Sequence, residues 1–253
     1  MRKSLGKKKR VFGRDLKVKG KLIVIEGLDS SGKATQAEML KKRLENEGFN
    51  VMKITFPDYE SESSALVKMY LNGEISEKAE DVNAYAASSF YAVDRYVSYK
   101  TKWEKFYLDG GIIIADRYTT SNMIHQAAKI DGTRIKNLYL DWLYDYEYKL
   151  LKLPVPNKVI FLDMPPENAI ELMKNRANKF TGGEQKDIHE RDHTYLEKSY
   201  ENALYVAKKF DWQEVFCVEG GAVRTIENIS DEIFVSVMKD VIKRKIRNEV
   251  ING

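Results

Sequence analysis

Short apolar runs rich in β-branched residues alternate along this chain with longer stretches in which apolar residues recur at helical spacing. The short runs predict strands at 21–26, 51–56, 112–115, 158–163 and 214–218. The longer stretches predict helices at 32–47, 81–107, about 119–130, 135–150, 166–178, 192–210 and 225–247. This alternation predicts an α/β fold, in which a five-stranded parallel sheet is flanked by helices.

Turn residues separate several of these elements. Gly48 follows the first predicted helix, where a glycine can adopt the left-handed conformation that closes a helix. The sequences DGG at 109–111 and LPVPN at 153–157 mark turns before the third and fourth strands. Ligands of open parallel sheets bind at the carboxyl ends of the strands, so we searched for functional motifs directly after each strand.

Composition adds a basic extension to this picture. The chain has 253 residues, and an apolar content of 43% is enough for the core of one domain. Residues 1–20 hold nine Lys or Arg against the single Asp15, which leaves 33 basic and 37 acidic residues in the remainder. We therefore predict a disordered basic extension at 1–20 and one domain at 21–253. The run GKKKR can alternatively contact nucleic acid or an anionic surface.

Other features of the composition point to a cytoplasmic protein. The basic extension lacks the apolar segment of a secretory signal. No apolar run approaches the roughly 20 residues that span a bilayer. The single Cys217 lies in the apolar run EVFCV, where we interpret it as a small buried hydrophobic residue rather than a reactive thiol.

The segment VIEGLDSSGKATQ, at 24–36, connects the first strand to the first helix and closely follows the phosphate-loop pattern G-x-x-x-x-G-K-[ST]. Backbone N–H groups of such a loop converge on phosphates, and its lysine reaches the β- and γ-phosphates. The candidate ATP-binding residues are Gly27, Ser30, Ser31, Gly32, Lys33, Ala34 and Thr35. The motif favours a three-layer fold of the P-loop NTPase type over a glycine-rich turn without function.

Ala34 departs from this pattern, which places a Mg²⁺-binding hydroxyl at that position. Thr35 does not replace it, because one step along a helix rotates a side chain by about 100°. Mg²⁺ retains several water molecules and binds substrate phosphates, so a water can occupy the position. We predict weaker Mg²⁺ affinity and retained catalysis.

The segment ADRYTTSNMIHQ, at 115–126, places Asp116 and Arg117 at the predicted carboxyl end of the third strand. An arginine offers a planar pair of donors to phosphate oxygens. The aspartate can hold that arginine or a metal-bound water, and Asp116 is the candidate metal residue. A surface ion pair without function is the alternative.

With these motifs in place, the chain resembles a thymidylate kinase, one of the P-loop nucleoside monophosphate kinases. The resemblance covers about residues 20–245, and it rests further on FP at 56–57, FYAVDR at 90–95, DRYTTSN at 116–122 and LPVPNKVIFLD at 153–163. It implies transfer of the γ-phosphoryl group of ATP to dTMP with Mg²⁺ as the cofactor. It also implies a homodimer, for which the long helix at 81–107 is a candidate interface.

The resemblance further implies roles for individual residues. Asp29 would face the sugar 3′-hydroxyl and Arg117. Tyr91 would stack on thymine while Arg95 donates to a base carbonyl, and their spacing places both on one face of a helix. The implied dTMP site comprises Asp29, Phe56, Tyr91, Arg95, Arg117, Ser121, Asn122, His125 and Gln126.

The polar segment at about 175–191 resembles the lid of the family. Its cations are Arg176, Lys179, Lys186 and Arg191. Some members of the family carry an arginine within the phosphate loop, where this chain has Ser30 and Ser31, so we expect a lid cation to stabilise the transferring phosphoryl group. Arg176 is the preferred candidate, and the expected catalytic set is Lys33, Arg117, Arg176 and Asp29.

Two departures from the family concern the acceptor nucleotide. Asp58 and Tyr59 follow FP, where the family often has an arginine that binds the monophosphate. His125 stands where bacterial members usually have tyrosine. A kinase of the same fold that acts on another nucleotide or nucleoside is therefore the nearest alternative.

Two remote alternatives come from other features. The sequence HERDH at 189–193 matches the zinc-protease pattern H-E-x-x-H, with Glu190 as base and Glu214 or Glu219 as a third ligand. Ala34 and the basic extension would suit a nucleotide-binding regulatory or nucleic-acid-associated protein. The kinase hypothesis accounts for more of the separated motifs than either of these.

Overall fold

The computed structural model describes residues 19–177 and 193–252, and the side chains of 19–172 and 195–239. These residues form a parallel five-stranded sheet in the order β2-β3-β1-β4-β5, flanked by helices, so the predicted fold class is confirmed. The strands are β1 Lys21–Gly27, β2 Val51–Thr55, β3 Ile112–Asp116, β4 Lys158–Asp163 and β5 Gln213–Phe216. The helices are α1 Lys33–Asn46, α2 Ala65–Leu71, α3 Ala84–Ser98, α4 Glu104–Leu108, α5 Thr119–His125, α6 Thr133–Tyr144, α7 Pro166–Ala177, α8 His193–Lys209 and α9 Ile226–Asn252.

The central strand β1 is buried on both faces of the sheet. Its side chains alternate, so that Leu22 and Val24 join one hydrophobic cluster and Ile23 and Ile25 join the other. The registers pair β1 with β3 on one side and with β4 on the other. The loops after β1 and β3 consequently meet at one edge of the sheet.

Three predicted helices are interrupted. The helix predicted at 81–107 consists of α3 and α4 joined by the π-helical segment Tyr99–Trp103. The helix predicted at 135–150 consists of α6 followed by the π-helical segment Asp145–Leu150. The helix predicted at 119–130 consists of α5 followed by the 3₁₀ turn Ala127–Lys129. Hydrophobic periodicity does not distinguish these helix types, because they differ by a small change in backbone hydrogen bonding.

Several short elements were not predicted, including the 3₁₀ turns Glu62–Ser64 and Ala79–Asp81. The sequence analysis did not predict α2, whose seven residues are too few to establish a helical period. It also extended the fifth strand to residue 218, whereas β5 ends at Phe216. Val218 instead belongs to a short antiparallel ribbon of β6 Val218–Glu219 and β7 Ala222–Val223.

Two local predictions are confirmed. Gly48 has a φ of 83°, and its N–H donates to the carbonyl of Glu45 at 2.9 Å, which closes α1. Cys217 is fully buried, and burial raises the pKa of its thiol to about 12, as expected for a hydrophobic residue.

The basic run at residues 7–10 and the division into an extension and one domain lie partly outside the described residues, so both stay predictions. No helix among residues 19–177 and 193–252 combines the length and the apolar character needed to cross a bilayer.

Candidate active site

The phosphate loop runs from the end of β1 to the start of α1, and its conformation depends on two glycines. Gly27 has a φ of 155°, and a Cβ atom there would lie 2.6 Å from Ser31 Oγ and 3.0 Å from the carbonyl oxygen of Leu162. Gly32 has a φ of 89° and ample space. Gly27 is therefore required by close packing, and Gly32 by backbone conformation.

Lys33 lies at the first position of α1, with its side chain buried. Its Nζ atom donates to the carbonyl of Leu28 at 2.5 Å and lies 3.9 Å from Asp29 Oδ1. Burial and the neighbouring Arg117 lower the pKa of Lys33 to about 8, against the opposing effect of nearby carboxylates. A phosphate group bound here would restore the preference for the charged form.

The donor set around the loop fits a Mg²⁺ ion that is held mainly by phosphates and water. Ala34 and Thr35 have exposed side chains, and the buried Ser31 Oγ has no hydrogen-bond partner among the described residues. The carboxylate of Asp116 is buried at the end of β3 and acts electrostatically on Lys33. Within the described part of the chain, no three His, Cys, Asp or Glu side chains are grouped so as to hold a metal by themselves.

The zinc alternative gains no support from these residues. His189 and Glu190 lie outside the described residues. His193 begins α8, but its side chain is outside the described set.

Arg117 lies between the phosphate loop and α5. Its Nη2 donates to Asp29 Oδ1, and its Nη1 lies 3.7 Å from Glu26 Oε1. Nη1 also lies 3.3 Å from both Ser121 Oγ and His125 Nε2. The hydrogen-bonded carboxylate is thus Asp29 and not the adjacent Asp116, contrary to one of the expected arrangements.

Electrostatics keep Arg117 charged. Burial opposes its charge, but Asp29, Glu26 and Asp116 outweigh that effect and raise the pKa of Arg117. Its φ of 67° is a left-handed conformation at a non-glycine residue. Backbone conformations of this kind are concentrated at functional sites.

Glu26 is a fully buried carboxylate that the sequence analysis passed over. Its Oε1 accepts from the N–H of Gly27 at 3.0 Å. Its Oε2 accepts from the hydroxyls of Thr120 at 2.7 Å and Ser121 at 2.8 Å. A charged residue at the end of the otherwise apolar strand KLIVIEG was the available signal, since a buried charge requires partners.

Arg95 is paired with Glu147, a second residue that was missed. Nε and Nη2 of Arg95 donate to the two carboxylate oxygens at 2.7 and 2.5 Å, and Nη1 lies 3.4 Å from the carbonyl oxygen of Tyr118. The hydroxyl of Thr119 also donates to Glu147, at 2.7 Å. Burial opposes the charge on Arg95, but Glu147 outweighs it and raises the pKa of Arg95.

One pocket of about 600 Å³, counting its open mouth, lies beside the phosphate loop. All nine residues expected to bind dTMP line it: Asp29, Phe56, Tyr91, Arg95, Arg117, Ser121, Asn122, His125 and Gln126. Four further lining residues were not assigned to the site: Pro57, Tyr59, Leu71 and Tyr118.

The apolar wall of the pocket rests on α2. Tyr91 meets Tyr70 edge to face, with 6.4 Å between ring centroids and an interplanar angle of 87°. Phe90 packs against the same cluster, so both aromatic residues of FYAVDR contribute to it. This packing leaves Tyr91 as the member of the pair that lines the pocket.

The polar wall of the pocket is formed by α5 and the residue after it. Asn122 Nδ2 lies 3.3 Å from the carbonyl oxygen of Ser88. Gln126 is 1% exposed, and its Oε1 has no partner among the described residues. The ring of His125 lies parallel to that of Tyr195 at 6.3 Å. An unpartnered amide oxygen in a pocket wall is a candidate acceptor for a ligand donor.

The two residues after FP have different environments. Asp58 accepts from Lys102, and its N–H donates to Asp94 Oδ2 at 2.8 Å. Tyr59 lines the pocket and is 51% exposed. Tyr59 is therefore the residue of this pair that a bound phosphate can reach.

The predicted lid stays untested. Arg176 lies in α7, but its side chain is not among those described. Lys179, Lys186 and Arg191 lie outside the described residues.

Comparisons with known proteins agree with this geometry. The family model described as thymidylate kinase matches residues 25–233, well over half of the chain. A thymidylate kinase of Plasmodium falciparum is 29% identical over 238 residues, covering 94% of this chain and 97% of the relative. A thymidylate kinase of Mycobacterium tuberculosis is 31% identical over 172 residues, covering 68% of this chain and 78% of the relative.

A solved structure gives the same result for the fold. The thymidylate kinase of Candida albicans superposes with a TM-score of 0.65 at 24% identity, over 88% of this chain and 92% of that one. With a matching family model, full-length relatives and a phosphate loop beside the pocket, the chain belongs to the thymidylate kinase family of nucleoside monophosphate kinases.

Proposed function

We propose that the protein transfers the γ-phosphoryl group of ATP to the 5′-phosphate of dTMP, which yields dTDP and ADP. The observation that carries the proposal is that the phosphate loop and the nucleotide pocket share a residue. Asp29 belongs to the phosphate loop, lines the pocket and binds Arg117. A nucleotide in the pocket would therefore present its phosphate beside the β- and γ-phosphates of ATP.

Catalysis in this arrangement depends on positioning and charge. An oxygen of the acceptor monophosphate attacks the γ-phosphorus, and the bond to the β,γ-bridging oxygen breaks as ADP leaves. The attacking oxygen is ionised at neutral pH, so the reaction needs no general base. Lys33 and Arg117 would neutralise the developing charge from opposite sides of the transferred group.

The pocket walls suit a pyrimidine deoxynucleotide. Tyr91 offers a ring on which a base can stack, and Arg95 offers donors for a base carbonyl. Gln126 adds an acceptor that has no partner among the described residues, and Asp29 would face the sugar. Tyr59 and His125 supply polar groups near the expected phosphate and sugar positions.

Mg²⁺ is the proposed cofactor, and when bound it would neutralise phosphate charge. Asp116 is the candidate to hold a metal-bound water. Arg176 stays the preferred lid cation.

A substrate panel tests the proposal against the nearest alternative, a kinase for another nucleotide or nucleoside. With ATP as donor, dTMP should give the highest kcat/KM among dTMP, dUMP, UMP and thymidine. Lys33→Ala should abolish turnover without loss of the fold. Lys41→Ala is the matched control, because Lys41 is also on α1 but lies eight residues beyond Lys33 and pairs with Glu45. A higher kcat/KM for UMP or thymidine would show that dTMP is not the preferred acceptor. Full activity of Lys33→Ala would reject the mechanism.

A homodimer is part of the proposal. Large apolar side chains are exposed along one stripe of α3, at Tyr85, Val93 and Tyr96, and on the adjacent α2 at Leu66 and Met69. A contiguous exposed apolar surface is typical of a protein interface. Light scattering should report a dimer, and Val93→Asp should convert it to a monomer.

Two predictions about the basic extension and the location of the protein stay open to test. Deletion of residues 1–19 should leave turnover unchanged. Salt-sensitive DNA or RNA binding that this deletion removes would instead support a nucleic-acid role. Fractionation of the source cells tests the predicted cytoplasmic location.

A further inference from the structure

Lys129 is a partly buried lysine that neither the motifs nor the pocket lining assigns to the site. Its Nζ atom donates to the carbonyl of Ala79 at 2.6 Å, the hydroxyl of Tyr70 at 2.7 Å and the carbonyl of Val82 at 3.1 Å. Nζ also lies 5.0 Å from the centre of the Tyr70 ring. The three N–H groups of its ammonium therefore have three acceptors, all on one segment of the chain.

This contact joins two walls of the nucleotide pocket. Lys129 ends the 3₁₀ turn that follows α5, and it lies three residues after the lining residue Gln126. Its acceptors belong to the segment 70–82, which runs from the end of α2 to just before α3 and includes the lining residue Leu71. The Lys129 ammonium group thus connects the polar wall of the pocket to the segment 70–82, on which the apolar wall packs.

The connection continues from Tyr70 to the base platform. Tyr70 is fully buried, and its ring meets Tyr91 edge to face. Tyr70 also lies in the cluster that contacts Tyr91 and Phe90. Displacement of the Tyr70 hydroxyl would move the ring on which Tyr91 rests, because close-packed clusters transmit small shifts.

The environment of Lys129 argues against an incidental surface contact. Burial lowers the pKa of Lys129 to about 8, and only Glu80 opposes this shift among nearby charges. A buried ammonium is unfavourable unless acceptors compensate for its lost hydration. Here the compensation comes from two backbone carbonyls and one hydroxyl in the segment that supports the pocket.

We propose that Lys129 is a positioning residue for the acceptor nucleotide. Lys129 holds the segment 70–82 against α5, and this keeps the ring of Tyr91 in the position where it can stack on the base. Lys129 does not line the pocket, so its effect passes through Tyr70 and Tyr91. The inference rests on the proposed function for the identity of the nucleotide, but not for the coupling between these three residues.

The test compares Lys129→Met, which keeps most of the length of the unbranched side chain and removes the donors, with Lys129→Arg. For Lys129→Met, the KM and Kd for dTMP should rise about tenfold, as for the loss of one coupled contact. The kcat value and the KM for ATP should stay within about twofold. Lys129→Arg should retain most of the dTMP affinity, because it keeps a cation and several donors.

Lys136→Met is the matched control. Lys136 is also a partly buried lysine, and its Nζ lies 5.9 Å from the centre of the Tyr205 ring, but that ring is not part of the pocket. This variant should leave dTMP affinity unchanged. Equal losses in Lys129→Met and Lys136→Met would reduce the effect to general destabilisation and overturn the inference.

A second substitution distinguishes positioning from simple stability. In a Tyr91→Leu background, Lys129→Met should cause no further loss of dTMP affinity, because the platform is already absent. Additive losses would overturn the inference. Tyr70→Phe removes only the hydroxyl acceptor and should raise the KM for dTMP a few-fold, and it carries the test alone if Lys129→Met does not fold.

The outcomes also separate this inference from the proposed function. If wild-type protein phosphorylates dTMP and Lys129→Met has wild-type affinity for it, the inference fails alone. If the wild type prefers another nucleoside monophosphate, the proposed function fails, and the same variants are measured with that nucleotide.

Discussion

Arg95 and Glu147 form a two-pronged ion pair in which neither side chain reaches solvent, with donor–acceptor distances of 2.7 and 2.5 Å. The arginine comes from α3, and the glutamate comes from the π-helical segment after α6. Since both carboxylate oxygens are engaged, the pair fixes the plane of the guanidinium at the pocket wall. Glu147 therefore determines which of the arginine donors a base can meet.

We predict that Glu147→Gln raises the KM for dTMP about tenfold and lowers the free energy of unfolding by about 3 kcal/mol, because it leaves Arg95 buried without its counter-charge. The KM for ATP should stay unchanged. Steady-state kinetics and denaturant unfolding measure these effects. Asp145→Asn is the control, since Asp145 lies in the same π-helical segment but pairs with Lys149 in an exposed ion pair.

The double substitution Arg95→Met with Glu147→Leu separates stability from binding. Apolar replacement of a buried ion pair is often neutral or stabilising, so the free energy of unfolding should recover. Affinity for dTMP should remain low, because the Arg95 donors at the base are lost. Recovery of dTMP affinity would show that Arg95 does not contact the nucleotide.

The lowered pKa of Lys33 predicts proton uptake when phosphates bind. Free protein loses the Lys33 charge as pH rises through about 8, whereas bound phosphates raise the pKa of this amine again. Affinity for ADP should thus fall with increasing pH above 8, by at most about tenfold per pH unit. Calorimetry at pH 9 in two buffers of different ionisation enthalpy should show the uptake. Lys33→Arg, which stays charged, should show none, and equal uptake in both proteins would assign the proton elsewhere.

Ala34→Ser should restore a hydroxyl at the start of α1 and lower the Mg²⁺ concentration that gives half-maximal rate. The physical reason is an added oxygen ligand at a position that a water would otherwise occupy. Titration of Mn²⁺ by paramagnetic resonance, with ADP present, measures the affinity independently of turnover. Thr35→Ala is the control, since its hydroxyl is rotated by about 100° from that position. Identical titrations for Ala34→Ser and wild type would exclude a role for this hydroxyl.

The two loop glycines should respond differently to alanine. Gly27→Ala places a Cβ atom 2.6 Å from Ser31 Oγ and near the backbone of β4, so it should cost about 2 kcal/mol or more and weaken ATP binding. Gly32→Ala meets no atom within 4 Å, and only its φ of 89° should cost about 1 kcal/mol. Gly48→Ala has a similar φ outside the site, so thermal unfolding should detect its cost while ATP affinity stays constant. A smaller cost for Gly27→Ala than for Gly48→Ala would contradict this account.

The sheet and the phosphate loop were predictable because their signals are local. Apolar β-branched runs specify strands that are buried on both faces, and the loop glycines and Lys33 are contiguous in the chain. The nucleotide pocket was predicted from the family resemblance. That resemblance indicates the lining residues but not the buried residues that hold them in place.

Those supports depend on contacts between distant residues. Glu147 is separated from Arg95 by 52 positions, and in the sequence it reads as one more polar residue of an amphipathic helix. Lys129 reads as a solvated lysine, because nothing local indicates that Ala79 and Val82 will offer it their carbonyls. A buried charge reveals its partner only when the chain is folded.

The first turn of α5 has a consequence for the distance between the base and phosphate positions of the acceptor nucleotide. Thr119 donates to Glu147, the partner of Arg95. Thr120 and Ser121 donate to Glu26, which lies beside Arg117. Because these three hydroxyls are on consecutive residues, the covalent geometry of the chain constrains the separation between Arg95 at the base and Arg117 at the phosphate. Insertion of a single residue in this turn would change the length of nucleotide that fits between them, even if every pocket side chain were retained.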